Sequence, residues 1–296
     1  MRTTLDYGIA PPGYRLPDAT RIGAVRLQVA DVARSLAWYQ RVTGLALLDR
    51  TETWAALGVP GRASPLVEVF ERSGVAPVPP RGRLGLYHFA ILLPGRAALG
   101  GFVHHLSEIG ERAGMSDHLV SEALYLTDPD GLGVEVYADR PRNTWRQDDG
   151  QLVIDTKPLD VDDLVAAAEG NRWSGVPEGT VVGHVHLFVG DLDRAAAFYH
   201  GGLGLDKIVW SYPGALFMSA GGYHHHLGTN TWAEGAPPAR FDDARLLEWE
   251  VLVPTAADVA EALASLERAG SRVERAGEAG VIEDPWGTAL RIRAVV

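Results

Sequence analysis

Two stretches of this chain repeat one alternation of apolar and polar positions. From Ile22 it reads IGAVRLQVADVARSLAWYQRVTGLALL, and from Val182 VGHVHLFVGDLDRAAAFYHGGLGLDKI. Asp31 recurs as Asp191, Tyr39 as Tyr199 and Gly44 as Gly204, each 160 residues later. Each copy predicts an alternating strand, then an Asp at a helix N-cap, then an amphipathic helix that ends in an aromatic pair and stops at a Gly. An apolar strand follows, over Ala46–Leu48 or Lys207–Trp210, which makes a β-α-β unit.

A second pair obeys the same rule. His88-Phe89-Ala90-Ile91-Leu92-Leu93-Pro94 aligns with Glu248-Trp249-Glu250-Val251-Leu252-Val253-Pro254, again 160 residues on. Each precedes an Ala/Leu-rich helix ending near Gly110 or Gly270. Each then reaches a hairpin signal, Asp128-Pro129-Asp130-Gly131 or Asp284-Pro285-Trp286-Gly287, before a last strand. Glu135 and Arg291 take equivalent places in those strands. The chain therefore predicts an α+β fold of four βαβββ modules, duplicated half-barrels that close sheets around a cavity. Residues 1–18 are expected to be a surface tail, 19–148 a first domain holding modules one and two, and 179–296 a second holding modules three and four. Residues 149–178 form a connector with one short helix inside Asp160–Glu169.

Composition narrows the functions. A length of 296 residues suits about two domains. A net charge of −11 with no basic stripe argues against nucleic acid. Zero cysteines exclude disulfides, thiolate ligands and a Cys nucleophile. The first residues carry no apolar leader and no apolar run approaches ~18 residues, so a cytoplasmic protein without membrane contact is expected, and a homo-oligomer is compatible with this.

The candidate chemistry lies between Gly85 and Pro141 and recurs after Val182. His88 stands in one apolar run, His118 and Tyr125 follow, and Glu135 sits in Gly133-Val134-Glu135-Val136-Tyr137. A carboxylate buried there without a partner is costly, so Glu135 is expected at an edge or beside a cation. Ring nitrogens and a carboxylate on separate strands facing one hollow can hold a divalent metal. His184 and the run Tyr223-His224-His225-His226 add further imidazoles. In a strand, His224 and His226 share one face and His225 takes the other. His186, on the same face as His184, is a candidate pocket residue together with His224 and His226. Trp145 and Trp232 are candidates for an aromatic wall or for plain core. Glu68 is expected to be solvated or paired, and His104, His105 and His200 to lie on the surface.

The four modules, the Asp-capped helices ending in Phe/Trp-Tyr and the DPDG-x-x-x-E strand resemble the vicinal oxygen chelate superfamily. That group includes glyoxalase I, fosfomycin and bleomycin resistance proteins, and extradiol ring-cleaving dioxygenases. The strings YHFAILLP, SEALYLTDPDG, YADRP and SAGGYHHHLG resemble its catechol-2,3-dioxygenase-like members. The resemblance implies ligands on the first and last strands of a module. The first-strand position holds Ala24, His88, His184 and Glu248 in the four modules. The last-strand carboxylate position is Glu135 in module two but Arg291 in module four, so the C-terminal pair cannot carry the usual site. If module two packs against module three, His88, Glu135 and His184 converge as a 2-His-1-carboxylate set suited to Fe(II), with Mn(II) as a variant. Modules one and four would then enclose a second, metal-free hollow carrying Arg26, Glu248, Glu250 and Arg291. The resemblance also implies a small aromatic substrate and O2, with His225 as acid–base histidine and His118 and Tyr125 against the substrate oxygens. The implied activity is extradiol cleavage of a catechol or related dihydroxy-aromatic. The alternatives are a glyoxalase-like lyase or isomerase with Ni, Zn or Co, and a ligand-binding resistance protein.

Overall fold

The computed structural model describes residues 7–170 and 172–295. Strand, helix and three further strands recur four times. Module two, for example, runs Gly85–Leu92, helix Arg96–Ile109, Gly114–Asp117, Ser121–Thr127 and Gly133–Asp139, and module three begins with Val181–Phe188. Asp31 and Asp191 cap the module-one and module-three helices by accepting from the N–H groups of Arg34 and Arg194. Those helices end in wide π-helical turns, Tyr39–Thr43 and Ala196–Gly202, each followed by a left-handed glycine, Gly44 or Gly204.

The sixteen module strands form two eight-stranded sheets, and each sheet joins a module from the first half of the chain to one from the second. One places module four beside module one through antiparallel Arg21–Val29 and Arg245–Val253. The other places module three beside module two through antiparallel Val181–Phe188 and Gly85–Leu92. Segments 19–148 and 179–296 thus each give one module to each sheet. Modules of the same half are tied instead by buried phenols: the Tyr39 hydroxyl donates to Asp128 at 3.2 Å and the Tyr199 hydroxyl to Asp284 at 2.8 Å. The hairpin aspartates also accept backbone N–H groups of their own turns.

Side chains alternate across a strand, and this alternation divides both sheets. Phe89 and Ile91, Val134 and Val136, Val185 and Leu187 face the common core, as do Val25, Leu27, Trp249, Val251, Leu290 and Ile292 of the other sheet. The alternate positions carry His88, Glu135, His184 and His186 in one sheet and Arg26, Glu68, Glu248, Glu250, Arg291 and Arg293 in the other. Both faces are largely buried, so the strands read as nearly continuous apolar runs.

In the sheet of modules one and four, the three arginines and three glutamates neutralise one another. Arg26 meets Glu68 at 2.7 Å, Glu248, and Glu250 at 3.0 Å; Arg291 meets Glu248 at 2.6 Å; Arg293 meets Glu250 at 3.1 Å. Glu68 is therefore paired, and this hollow is filled by its own charges.

Two sequence expectations need correction. Of the expected tail, residues 1–6 lie outside the described residues, while 7–18 are laced to module three. Ile9 bridges to Lys207, Leu16 is buried, and Arg15 grips Asp206 with a two-point ion pair. His200 is buried, with Nδ1 donating to the Leu205 carbonyl, because the wide turn directs it inward; His104 is exposed as expected. The connector helix spans Val161–Ala166, capped by Asp160.

Candidate metal centre

Register assembles the candidate ligands. His184 pairs with Ala90, and Ala90 pairs with Glu135, so the three lie in one row across three strands. His88 stands one pleat from Ala90 on the same face and directly opposite His186. Ala90, small and buried between its larger neighbours, leaves the space over which they converge. One ligand atom each of His88, Glu135 and His184 lies within 4.8 Å of the other two. Glu135 Oε2 is 2.9 Å from His88 Nε2 and 3.2 Å from His184 Nε2. All three side chains are buried.

The hydrogen bonding at the centre is incomplete. His88 Nε2 is close to the carboxylate yet not aligned for a hydrogen bond, and neither nitrogen of His88 nor His184 Nδ1 has a hydrogen-bond partner among the described residues. Unsatisfied buried polar atoms are rare and call for a specific cause. A cation between the two Nε2 atoms and the carboxylate would satisfy His88 Nε2. The protonation states fit. Burial disfavours the Glu135 anion, but the adjacent His184 and His88 outweigh it and hold the carboxyl well below its usual range. Burial pulls His184 down to about 4 against the opposing Glu135 charge, so at neutral pH it is an unprotonated donor.

A cavity of about 210 Å³ opens over the set. An apolar cavity of about 150 Å³ can take a benzene ring, so one substituted ring fits. Tyr87, Tyr212, Phe217, Trp232, Val120 and Ile154 supply its apolar wall. His118, Tyr125, His186 and His225 also line it. The Asp155 carbonyl lies 2.8 Å from His118 Nδ1 and can only accept, so the ring proton sits on Nδ1. His118 Nε2 then accepts the Tyr125 hydroxyl at 2.7 Å. Burial, assisted by the Glu135 charge, raises the Tyr125 pKa well above its ordinary value and keeps the phenol neutral. Leu119, next to His118, has φ of 69°, a left-handed conformation that costs about 1 kcal/mol or more in a non-glycine residue.

The structure separates the other histidines. His186 Nε2 accepts the Asn230 amide at 2.9 Å, and its ring lies over Gly228, where an added Cβ would come within 2.8 Å of it. Of the run His224–His226 only His225 lines the cavity. His226 turns away, accepting the Ala220 N–H and bonding Ser219. The strand expected over this run begins only at Leu227. The residues before it follow a turn through left-handed Gly221 and Gly222, so His224 and His225 lie side by side, Nδ1 to Nδ1 at 2.7 Å, instead of on opposite faces. Trp232 walls the cavity, whereas Trp145 packs behind it against Tyr223 and His224.

Sequence reasoning missed Tyr87, Tyr212 and Phe217, whose aromatic side chains look like ordinary core. It also missed the connector, which supplies Ile154 and Thr156 to the wall and the Asp155 carbonyl to His118.

The Glyoxalase/Bleomycin resistance protein/Dioxygenase superfamily profile matches residues 21–136 and 181–292. The chain belongs to this superfamily. A curated relative from Bacillus subtilis (strain 168), named catechol-2,3-dioxygenase, is 42% identical over 270 residues, which are 90% of this chain and 94% of the relative. Among solved structures, a protein of Bacillus subtilis subsp. subtilis str. 168, provisionally assigned as a dioxygenase, superposes with a TM-score of 0.65 at 14% identity, covering 95% of this chain and 86% of its own. Glyoxalase I from Zea mays superposes with a TM-score of 0.54 at 16% identity, covering 93% and 92%. These structural likenesses bear on the fold alone. Among the described residues, no helix is long and apolar enough to cross a membrane.

Proposed function

We propose that this superfamily member is a metal-dependent extradiol dioxygenase that cleaves a catechol or related dihydroxy-aromatic with O2. The observation that carries the reading is the convergence of His88, Glu135 and His184 under an aromatic-lined cavity. A dioxygenase-named relative, 42% identical over most of the chain, supports it. Two imidazoles and one carboxylate on one side suit non-haem Fe(II), with Mn(II) as the variant. When bound, the metal would supply the electronic link between the aromatic diol and oxygen.

The remaining work belongs to the protein. The aromatic wall excludes water and orients the ring. Tyr125, neutral and giving its hydrogen to His118, offers its hydroxyl oxygen as an acceptor to a substrate hydroxyl. His225, whose ring lies against that of His184 at the cavity wall, would hold a substrate proton and return it, the general acid–base role. Anaerobic loading with Fe(II), followed by oxygen uptake and ring-fission absorbance over a panel of catechols, tests the reading. Failure with every dihydroxy-aromatic would overturn it.

A glyoxalase-like reaction needs a further carboxylate at the metal. Arg26 pairs with Glu68 in one sheet, and in the site sheet the corresponding partner of His186 is Gly228, which has no side chain. That position favours the dioxygenase.

A further inference from the structure

The geometry assigns a role to two residues behind the cavity wall, Asp139 and His224: they lock His225 in the tautomer whose unprotonated Nε2 is left for the site.

Three hydrogen bonds converge there. Asp139 Oδ1 accepts from the Tyr223 hydroxyl at 3.0 Å and lies 2.9 Å from His224 Nε2. A carboxylate only accepts, so in the neutral His224 ring the hydrogen sits on Nε2 and Nδ1 is bare. That bare nitrogen is 2.7 Å from His225 Nδ1. Two bare nitrogens would repel at this distance, so His225 Nδ1 carries the hydrogen and donates it. A neutral imidazole has one N–H, which leaves His225 Nε2 unprotonated and without a hydrogen-bond partner among the described residues. His224 is fully buried, packed against Tyr223 and Trp145, which fixes the angle of the chain. A second branch steadies the hub. Tyr223 gives its hydrogen to Asp139, so Tyr137 donates to Tyr223 at 2.6 Å. Glu135, Tyr137 and Asp139 occupy alternate positions of one strand. The strand that supplies a candidate ligand thus also anchors the tautomer lock.

A partner on one imidazole nitrogen sets the state of the other. Here the consequence is chemical: a bare Nε2 can take a hydroxyl hydrogen from the substrate, whereas the opposite tautomer would present an N–H. Asp139 and His224 touch no substrate and are positioning residues. This catalytic consequence rests on the dioxygenase reading; the tautomer itself does not.

Long-range ¹H–¹⁵N spectra of metal-free, histidine-labelled protein at neutral pH should show His225 protonated on Nδ1 and His224 on Nε2. A His225 proton on Nε2, the state expected if His224 were an imidazolium donating to it, would overturn the proposal. His224→Phe and Asp139→Ala should each give mixed His225 tautomers, and after Fe(II) loading kcat should fall about 10- to 100-fold with KM within about twofold. Asp139→Asn keeps an acceptor oxygen and should retain the parental tautomer and most of kcat. An unchanged His225 tautomer in both disruptive variants also overturns the proposal. Should those variants fail to fold, the spectrum of the parent and of Asp139→Asn still decides. Failure of the dioxygenase reading would show separately, as parent protein with the expected tautomers and no turnover.

Discussion

Tyr125 and Glu135 are direct cross-strand partners around the Asp128–Gly131 hairpin, so one register places both the candidate acidic ligand and a phenol that lines the cavity. Tyr125→Phe should leave metal content unchanged and lower kcat about 10²-fold, within the range typical of proton-managing side chains. Elemental analysis alongside oxygen-uptake kinetics checks both halves.

The three candidate ligands should be needed for metal and dispensable for folding. His88→Ala and Glu135→Ala are expected to lose metal binding while keeping native circular dichroism. A ligand that binds only the folded state stabilises it by about 2.7 kcal/mol at a hundredfold excess over Kd. Anaerobic Fe(II) or Mn(II) should therefore raise the melting temperature of the parent by several degrees and leave both variants unmoved in differential scanning calorimetry.

Acid should destabilise the metal-free protein. Burial is the first cause in each case: it pulls His184 to about 4, His226 to about 3, and His186 and His225 well below the ordinary value of 6.5. As pH falls, the unfolded chain takes up these protons first. The stabilisation is thus complete above about pH 6.5 and is lost as pH drops toward 4 and then 3. Thermal melts between pH 8 and 5 should show a steep decline below pH 6.5, shallower in a His226→Gln variant.

The charge cluster of the other sheet should matter for stability and not for metal. Burial raises the Glu250 pKa, but Arg293 and Arg26 hold it below its usual range. Arg26→Ala would strand Glu68 and leave Glu248 and Glu250 with one arginine each, Arg291 and Arg293. Removing one partner of a buried pair costs about 3–5 kcal/mol, and the partial exposure of Arg26 argues for the lower end. Urea denaturation should show the loss, with metal stoichiometry at His88, Glu135 and His184 intact.

The modules and ligand positions were legible in the sequence because a 160-residue offset aligned Ala24 with His184 and His88 with Glu248, leaving only the pair of modules two and three with two histidines and a carboxylate. The His224–His226 bend was not legible. Strand alternation separates neighbours, whereas two left-handed glycines bring His224 and His225 together. The contributions of Ile154, Asp155 and Thr156 were hidden for another reason: a polar connector carries no periodicity, and its place at the wall is set by contacts with His118 and Tyr212. Asp139, one residue beyond YA in YADRP, showed nothing locally to distinguish a hub from a strand end.

The exchange of modules between the two sheets sets an order of events on the ribosome. When the first half has emerged, Gly85–Leu92 still lacks its antiparallel neighbour, and His88 and Glu135 have no third ligand. Closure waits for Val181–Phe188, and the wall waits for the segment through Trp232. Metal capture at the candidate site is therefore a late step of biogenesis, and a nascent chain released before that point would carry an open strand edge in place of a closed site.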